Sequence, residues 1–195
     1  MSDELMNQIP YPALGDLTEW LVTERVPYTS IGGLSVSFVA QARPTLDIDL
    51  VVWLEPEKWE QFLKSGKRFG IVPRRVDALE FARQRRVFLL QHEQTGIGID
   101  ISLGALPFEW EMIERSKMVK LGPVEVRMPT PEDLIIMKLI AHRDKDLRDV
   151  DNILSIYPDL DLKRIKYWVR EFAKVLETPE LDSELTKLLE SHGQK

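Results

Sequence analysis

Two aspartates one residue apart, Asp47 and Asp49, stand fifteen residues beyond a glycine pair, Gly32-Gly33. On a strand, alternate side chains share a face, so these carboxylates project together while Ile48 turns the other way. Carboxylates held that close repel each other unless a cation lies between them. A glycine pair lets a backbone approach a phosphate, because no side chain intervenes. Hard oxygen ligands beside a phosphate cradle are the parts of a site for Mg²⁺ and a nucleoside triphosphate.

Other residues fit around that pair. Backbone N–H groups at the start of a helix after Gly32-Gly33 favour an anion. Ser35, just inside, has a hydroxyl that either reaches the same phosphate or caps the helix. Arg43 stands shortly before the Asp-x-Asp strand; its forked donors suit phosphate, and the plain alternative is a loop arginine. Lys138 is the only charged residue between Leu134 and Ala141. A helix apolar all round is buried, so this lysine requires an anionic partner. At about 100° per residue, Asp149 falls about 20° and Asp146 about 80° from Lys138 on a continuous helix. The three either face a ligand cleft or form an internal ion pair that locks two helices.

The stretch Ile31 to Val52 resembles the signature of the polymerase-β-like nucleotidyltransferase superfamily: an apolar residue, Gly-Gly or Gly-Ser, a helix, then Asp-x-Asp on a strand. That superfamily has a third carboxylate on a later strand, and Gly98-Ile-Asp100-Ile-Ser-Leu103 supplies one in Asp100. The block Thr130 to Val150, with Lys138-Leu139 and the aspartates Asp146 and Asp149, is similar to the Lys-Leu…Arg-Asp-x-x-Asp region of AbiEii-type toxins and related minimal nucleotidyltransferases. The resemblance implies two Mg²⁺ ions held by Asp47, Asp49 and Asp100. It implies that Asp100 takes the attacking hydroxyl's proton, that Gly32 and Gly33 cradle a nucleoside triphosphate such as ATP, and that Lys138 contacts that triphosphate with Asp146 and Asp149 in support. Gly33 stands where many active members carry Ser.

Positioning these residues takes a mixed architecture. Leu14, Leu17, Trp20 and Leu21 at helical spacing predict a helix over 13–25, ended near Pro27. Tyr28–Ile31 reads as a short strand into the glycine turn, 34–42 as a helix, and 47–54 as a strand buried on both faces. Pro56 opens a helix over 57–70. Residues 77–81, 87–91 and 97–103 read as strands, the last two joined by a turn at Glu93–Gly96; 119–121 and 124–128 form a hairpin about Gly122-Pro123. After Pro129 the pattern becomes helical, over 131–143, 145–156, 162–176 and 179–191, with Thr130 as a cap. The expected fold is α/β (α+β): a mixed sheet flanked by helices over 1–128, then a helical C-terminal region over 129–195.

Composition narrows the function. The chain has 195 residues, a net charge of −6 and no cysteine, which rules out disulfides and thiolate metal sites. Three scattered histidines make no zinc site. With neither a signal-peptide pattern nor an apolar run long enough for a bilayer, a cytoplasmic protein with no membrane partner is expected. The segment from Lys58 to Arg86 holds nine basic residues against three acidic ones. Such a patch is either a phosphate footprint or a solvated charged face. The leading expectation is a Mg²⁺-dependent nucleotidyltransferase of toxin–antitoxin type, acting on an RNA end (tRNA among them) or a protein hydroxyl and partnered by a cognate antitoxin. The alternatives are a non-catalytic binding partner with the same fold, or a small-molecule (antibiotic) nucleotidyltransferase, which an acidic acceptor pocket would favour; Glu109, Glu111 and Glu114 form a carboxylate-rich stretch.

Overall fold

The computed structural model describes residues 9–40 and 47–194. The chain divides into two compact units, Met1–Ser35 with Ala42–Pro129, and Val36–Gln41 with Thr130–Lys195.

The first unit opens with α1 (Tyr11–Thr23) and β1 (Tyr28–Ile31). Helix α2 (Gly32–Val39) begins directly at the end of β1, and β2 spans Asp47–Val52. After β2 come α3 (Trp59–Ser65), β3 (Ile71–Pro73), α4 (Ala78–Arg85), β4 (Val87–His92) and β5 (Gly98–Leu103). Helix α5 (Pro107–Arg115) leads into the hairpin of β6 (Lys117–Leu121) and β7 (Val124–Met128). The sheet order is β1-β2-β5-β4-β3, with β2 and β5 parallel and the other neighbours antiparallel. The mixed α+β fold agrees with the sequence reading.

Register divides the sheet into two chemically different faces. Ile48 pairs with Ile99 and Leu50 with Ile101, and Phe88 and Leu90 on β4 continue those rows. All are fully buried, together with Leu14, Leu17, Trp20 and Leu21 of α1 and Phe62 of α3. Trp20 stacks on Phe62 at 4.1 Å between ring centroids. Burying each such leucine or phenylalanine stabilises the fold by about 1.5–3 kcal/mol. A one-residue slip of β2 would exchange the faces, sending Ile48 and Leu50 to solvent and the aspartates into the core.

Two expectations are corrected here, and two elements were unforeseen. Residues 77–81 are not a strand; Ala78–Arg85 is a helix, with Ala78 and Ala82 buried one turn apart. Five residues were too short a window to separate the two periods, and helix formers continue to Arg85. The helix expected over 57–70 tightens into 3₁₀ turns at Pro56–Lys58 and Gly66–Phe69 around α3, the second starting at Gly66, the weakest helix former of the run. The helix Pro107–Arg115 and the strand Ile71–Pro73 were unforeseen.

The second unit contains α6 (Pro131–Ala141), α7 (Asp144–Ile156), α8 (Leu162–Val175) and α9 (Glu180–Ser191). Thr130 caps α6 as expected, its Oγ1 accepting the Asp133 N–H at 3.3 Å. His142, at φ +50°, ends α6, so α6 and α7 are two helices, as expected. Helices α8 and α9 bury one residue per turn: Ile165, Val169 and Ala173, then Leu181, Leu185 and Leu189.

Candidate active site

The carboxylates expected to work together share the face of the sheet opposite the core. Asp49 on β2 is the direct lateral partner of Asp100 on parallel β5, and Asp47 is the partner of Gly98. Lateral partners point the same way. Asp47 is exposed, Asp49 and Asp100 are half-buried, and Ile48 between the first two is buried. The Asp-x-Asp alternation read from the sequence is thus realised.

Two glycines make room for these side chains. Gly32 sits at φ +71°, a left-handed conformation that a β-carbon disfavours. A β-carbon there would also lie 2.0 Å from Asp49 Oδ2. Ile31 pairs with Asp49 across β1 and β2, which puts the first turn of α2 beside the carboxylate. A β-carbon on Gly98 would lie 2.3 Å from Asp47 Oδ1 and 3.4 Å from Arg74 Nη1.

Arg74 is the residue that sequence reasoning misplaced. It was counted in the basic segment, yet its guanidinium donates to Asp100 Oδ1 in an ion pair. Strand pairing explains why. The Arg74 N–H donates to Leu89 O at 2.9 Å, Leu89 is the lateral partner of Asp100, and Asp100 is that of Asp49. Arg74, Leu89, Asp100 and Asp49 therefore form one row across the sheet. Burial holds the Asp100 carboxyl above its ordinary pKa; Arg74 pulls it down and the nearby Asp47 charge adds to the rise. Among the described residues, no three His, Cys, Asp or Glu side chains converge on a single metal position. The donor set still suits a hard divalent cation, being all carboxylate oxygen from Asp47, Asp49 and Asp100 beside a glycine-lined backbone.

Other expected site residues lie elsewhere. Ser35 is fully buried, its Oγ 2.7 Å from Ser30 Oγ and 3.8 Å from Met128 Sδ. That hydroxyl faces the interior, because the phase of α2 turns Ser35 inward; it is neither a phosphate donor nor a cap. Arg43 lies outside the described residues.

Within the second unit, Lys138, Asp146 and Asp149 do come together. Lys138 Nζ is 3.0 Å from Asp146 Oδ1 and 2.9 Å from Asp149 Oδ2, with all three side chains buried. Arg143 also donates to Asp146. Burial works to raise the Asp146 pKa, but the hydrogen bonds from Arg143 and Lys138 outweigh it and hold the carboxyl below its ordinary value. These contacts join α6 to α7.

The basic segment is largely spoken for by its own neighbourhood. Lys58 pairs with Glu55, Lys64 with Glu60, Arg68 with Glu24, Arg75 with Asp77 and Arg83 with Glu80. Arg86 donates to Leu103 O and Gly104 O at 2.9 Å each. Glu109 likewise has a local task, accepting the Ala105 and Leu106 N–H groups at the start of α5.

A mixed sheet with a glycine turn into a helix and aspartates on adjacent parallel strands is a nucleotidyltransferase-like fold. The chain is similar, at 16% identity and a TM-score of 0.55, to an antigenic nucleotidyltransferase-like protein from Paracoccidioides brasiliensis, over 95% of this chain and 93% of that one. It also aligns with the antibiotic-resistance factor ANT(2'')-Ia over 91% of this chain and 93% of that one, at 15% identity and a TM-score of 0.43. No curated protein matches by sequence. The chain belongs to the family described as "Nucleotidyltransferase of unknown function (DUF6036)", whose model matches residues 18–190. No helix among the described residues is long and apolar enough to cross a membrane.

Proposed function

We propose that this protein transfers a nucleoside monophosphate from a nucleoside triphosphate to an acceptor hydroxyl, using Mg²⁺ held by Asp47, Asp49 and Asp100. The observation that carries the reading is the lateral pairing of Asp49 with Asp100, with Gly32 beneath Asp49. Bound Mg²⁺ supplies charge stabilisation for the attacking and leaving oxygens. The chain's own residues do the rest. N–H groups at the start of α2 orient the phosphates. Asp100, in one row with Asp49, accepts the proton of the attacking hydroxyl. The oxygen freed of that proton bonds to the α-phosphorus, the bond to the pyrophosphate oxygen breaks, and pyrophosphate leaves.

A toxin role beside a cognate antitoxin is supported by the likeness of the Thr130–Val150 block to AbiEii-type toxins. In this reading Lys138, Asp146 and Asp149 hold α6 to α7 rather than the triphosphate, because the lysine's charge already has two partners. The test is incubation with each labelled triphosphate and Mg²⁺, with total RNA in one arm and cell lysate in the other. Label on RNA or on protein identifies the acceptor; no transfer from any triphosphate to either would overturn the proposal.

A further inference from the structure

We propose that Arg74 gates the carboxylate row: its guanidinium holds Asp100 until a triphosphate arrives with its metal ion, then exchanges onto the triphosphate. The inference rests on the nucleotidyl-transfer reading and adds a regulator to that site. Three aspartates on one sheet face repel, and Arg74 brings a positive charge into their row. Its Nη1 also lies within 3.4 Å of the point that Asp47 Oδ1 crowds above Gly98.

The geometry suits exchange. Both side chains of the pair are about a third exposed, at 35% and 36%, and a pair so open to water is held weakly. The segment bearing Arg74 is anchored without it. The Arg74 backbone is bonded to Leu89, and Arg75 donates to both Asp77 oxygens at 2.9 and 2.8 Å and lies over the Phe81 ring at 4.4 Å. Only the Arg74 side chain has to swing. A free divalent cation would displace a guanidinium that gains nothing in return. A cation arriving with a triphosphate offers the guanidinium phosphate oxygens, which its fork binds well. Metal and triphosphate therefore bind cooperatively through Arg74, and the coupling is reciprocal.

The probe is Mn²⁺, measured by the loss of its free electron-paramagnetic signal on the full chain, and separately α,β-methylene ATP and GTP binding at saturating Mn²⁺. Arg74→Gln should bind Mn²⁺ alone at least about fivefold more tightly and the triphosphate analogue at least about fivefold more weakly, the low end of ordinary coupling. Arg74→Lys, which keeps a charge, should retain weak binding of the lone metal and serves if the Gln variant melts early. Such a split, with one affinity rising and the other falling, is not what a merely structural residue gives. Mn²⁺ affinity that is equal or lower in Arg74→Gln overturns the gate alone. Absence of Mn²⁺ binding in the wild type, even with the analogues, overturns both the gate and the transfer reading.

Discussion

The carboxylate row on the sheet and the lysine network of the C-terminal helices have the same ingredients and differ in burial. Around Lys138, two cations meet two carboxylates, and Lys138, Asp146 and Asp149 are almost sealed from water, at 5%, 0% and 4% exposure. On the sheet, three aspartates share a face, and the Arg74–Asp100 pair among them is about a third exposed. Buried charges are tolerated when each finds a partner. Carboxylates gathered on one partly exposed face suit a hard divalent cation. Even their pKa directions differ, Asp100 held up and Asp146 held down.

The comparison is tested hardest at Lys138. Lys138→Met leaves Asp149 without its lysine partner and should cost about 3–5 kcal/mol in urea unfolding. Triphosphate affinity of the folded variant should stay unchanged; a fall in affinity with stability intact would move Lys138 into the site. Gly32→Ala attacks the other region. The new methyl group disfavours the φ of +71° and pushes Asp49 aside, so transfer should fall about a hundredfold, as small misplacements of reacting groups do. A wild-type rate would remove Gly32 from the site.

Acid titration gives a smaller effect. Because the folded Asp146 pKa lies below its unfolded value, its contribution to stability is full above the unfolded carboxyl range and is lost as the pH falls through the folded value. Asp146→Asn should therefore flatten the acid limb of a melting-temperature profile. Asp100 has the opposite sign, its folded pKa being raised, so its own linkage lowers stability as the pH rises through that window. Equal acid limbs in wild type and Asp146→Asn would show that the lock carries no such charge. The smallest effect is expected from Ser35→Ala, about 1 kcal/mol for a buried hydroxyl bond, with transfer unaltered. Lost transfer in a stable Ser35→Ala protein would restore Ser35 to the phosphate site.

Much of the site was legible because it depends on local rules. Asp47 and Asp49 share a face by strand alternation alone, and Gly32-Gly33 marks a turn by composition. Arg74 was not legible, since its place depends on the register of β3, β4 and β5 together, and β3 is only three residues long. Gly98 could have been found: it stands two residues before Asp100, as Asp47 does before Asp49, so parallel pairing aligns it with Asp47. Ser35 failed because the phase of a short apolar helix cannot be read from eight mostly apolar or small residues. The Lys138 cluster was anticipated from angles on an idealised continuous helix and from two helices over 131–143 and 145–156; the chain turns at His142 and the contact forms between the two.

The most direct test is the initial rate of label transfer by Asp49→Asn, with the triphosphate and acceptor the wild type uses, alongside its melting temperature. The account predicts a loss of at least about 10²–10³-fold, as expected when one preorganised electrostatic group is removed. The melting temperature should hold or rise, because a repelling charge has gone. Transfer at the wild-type rate by the folded variant would contradict the account.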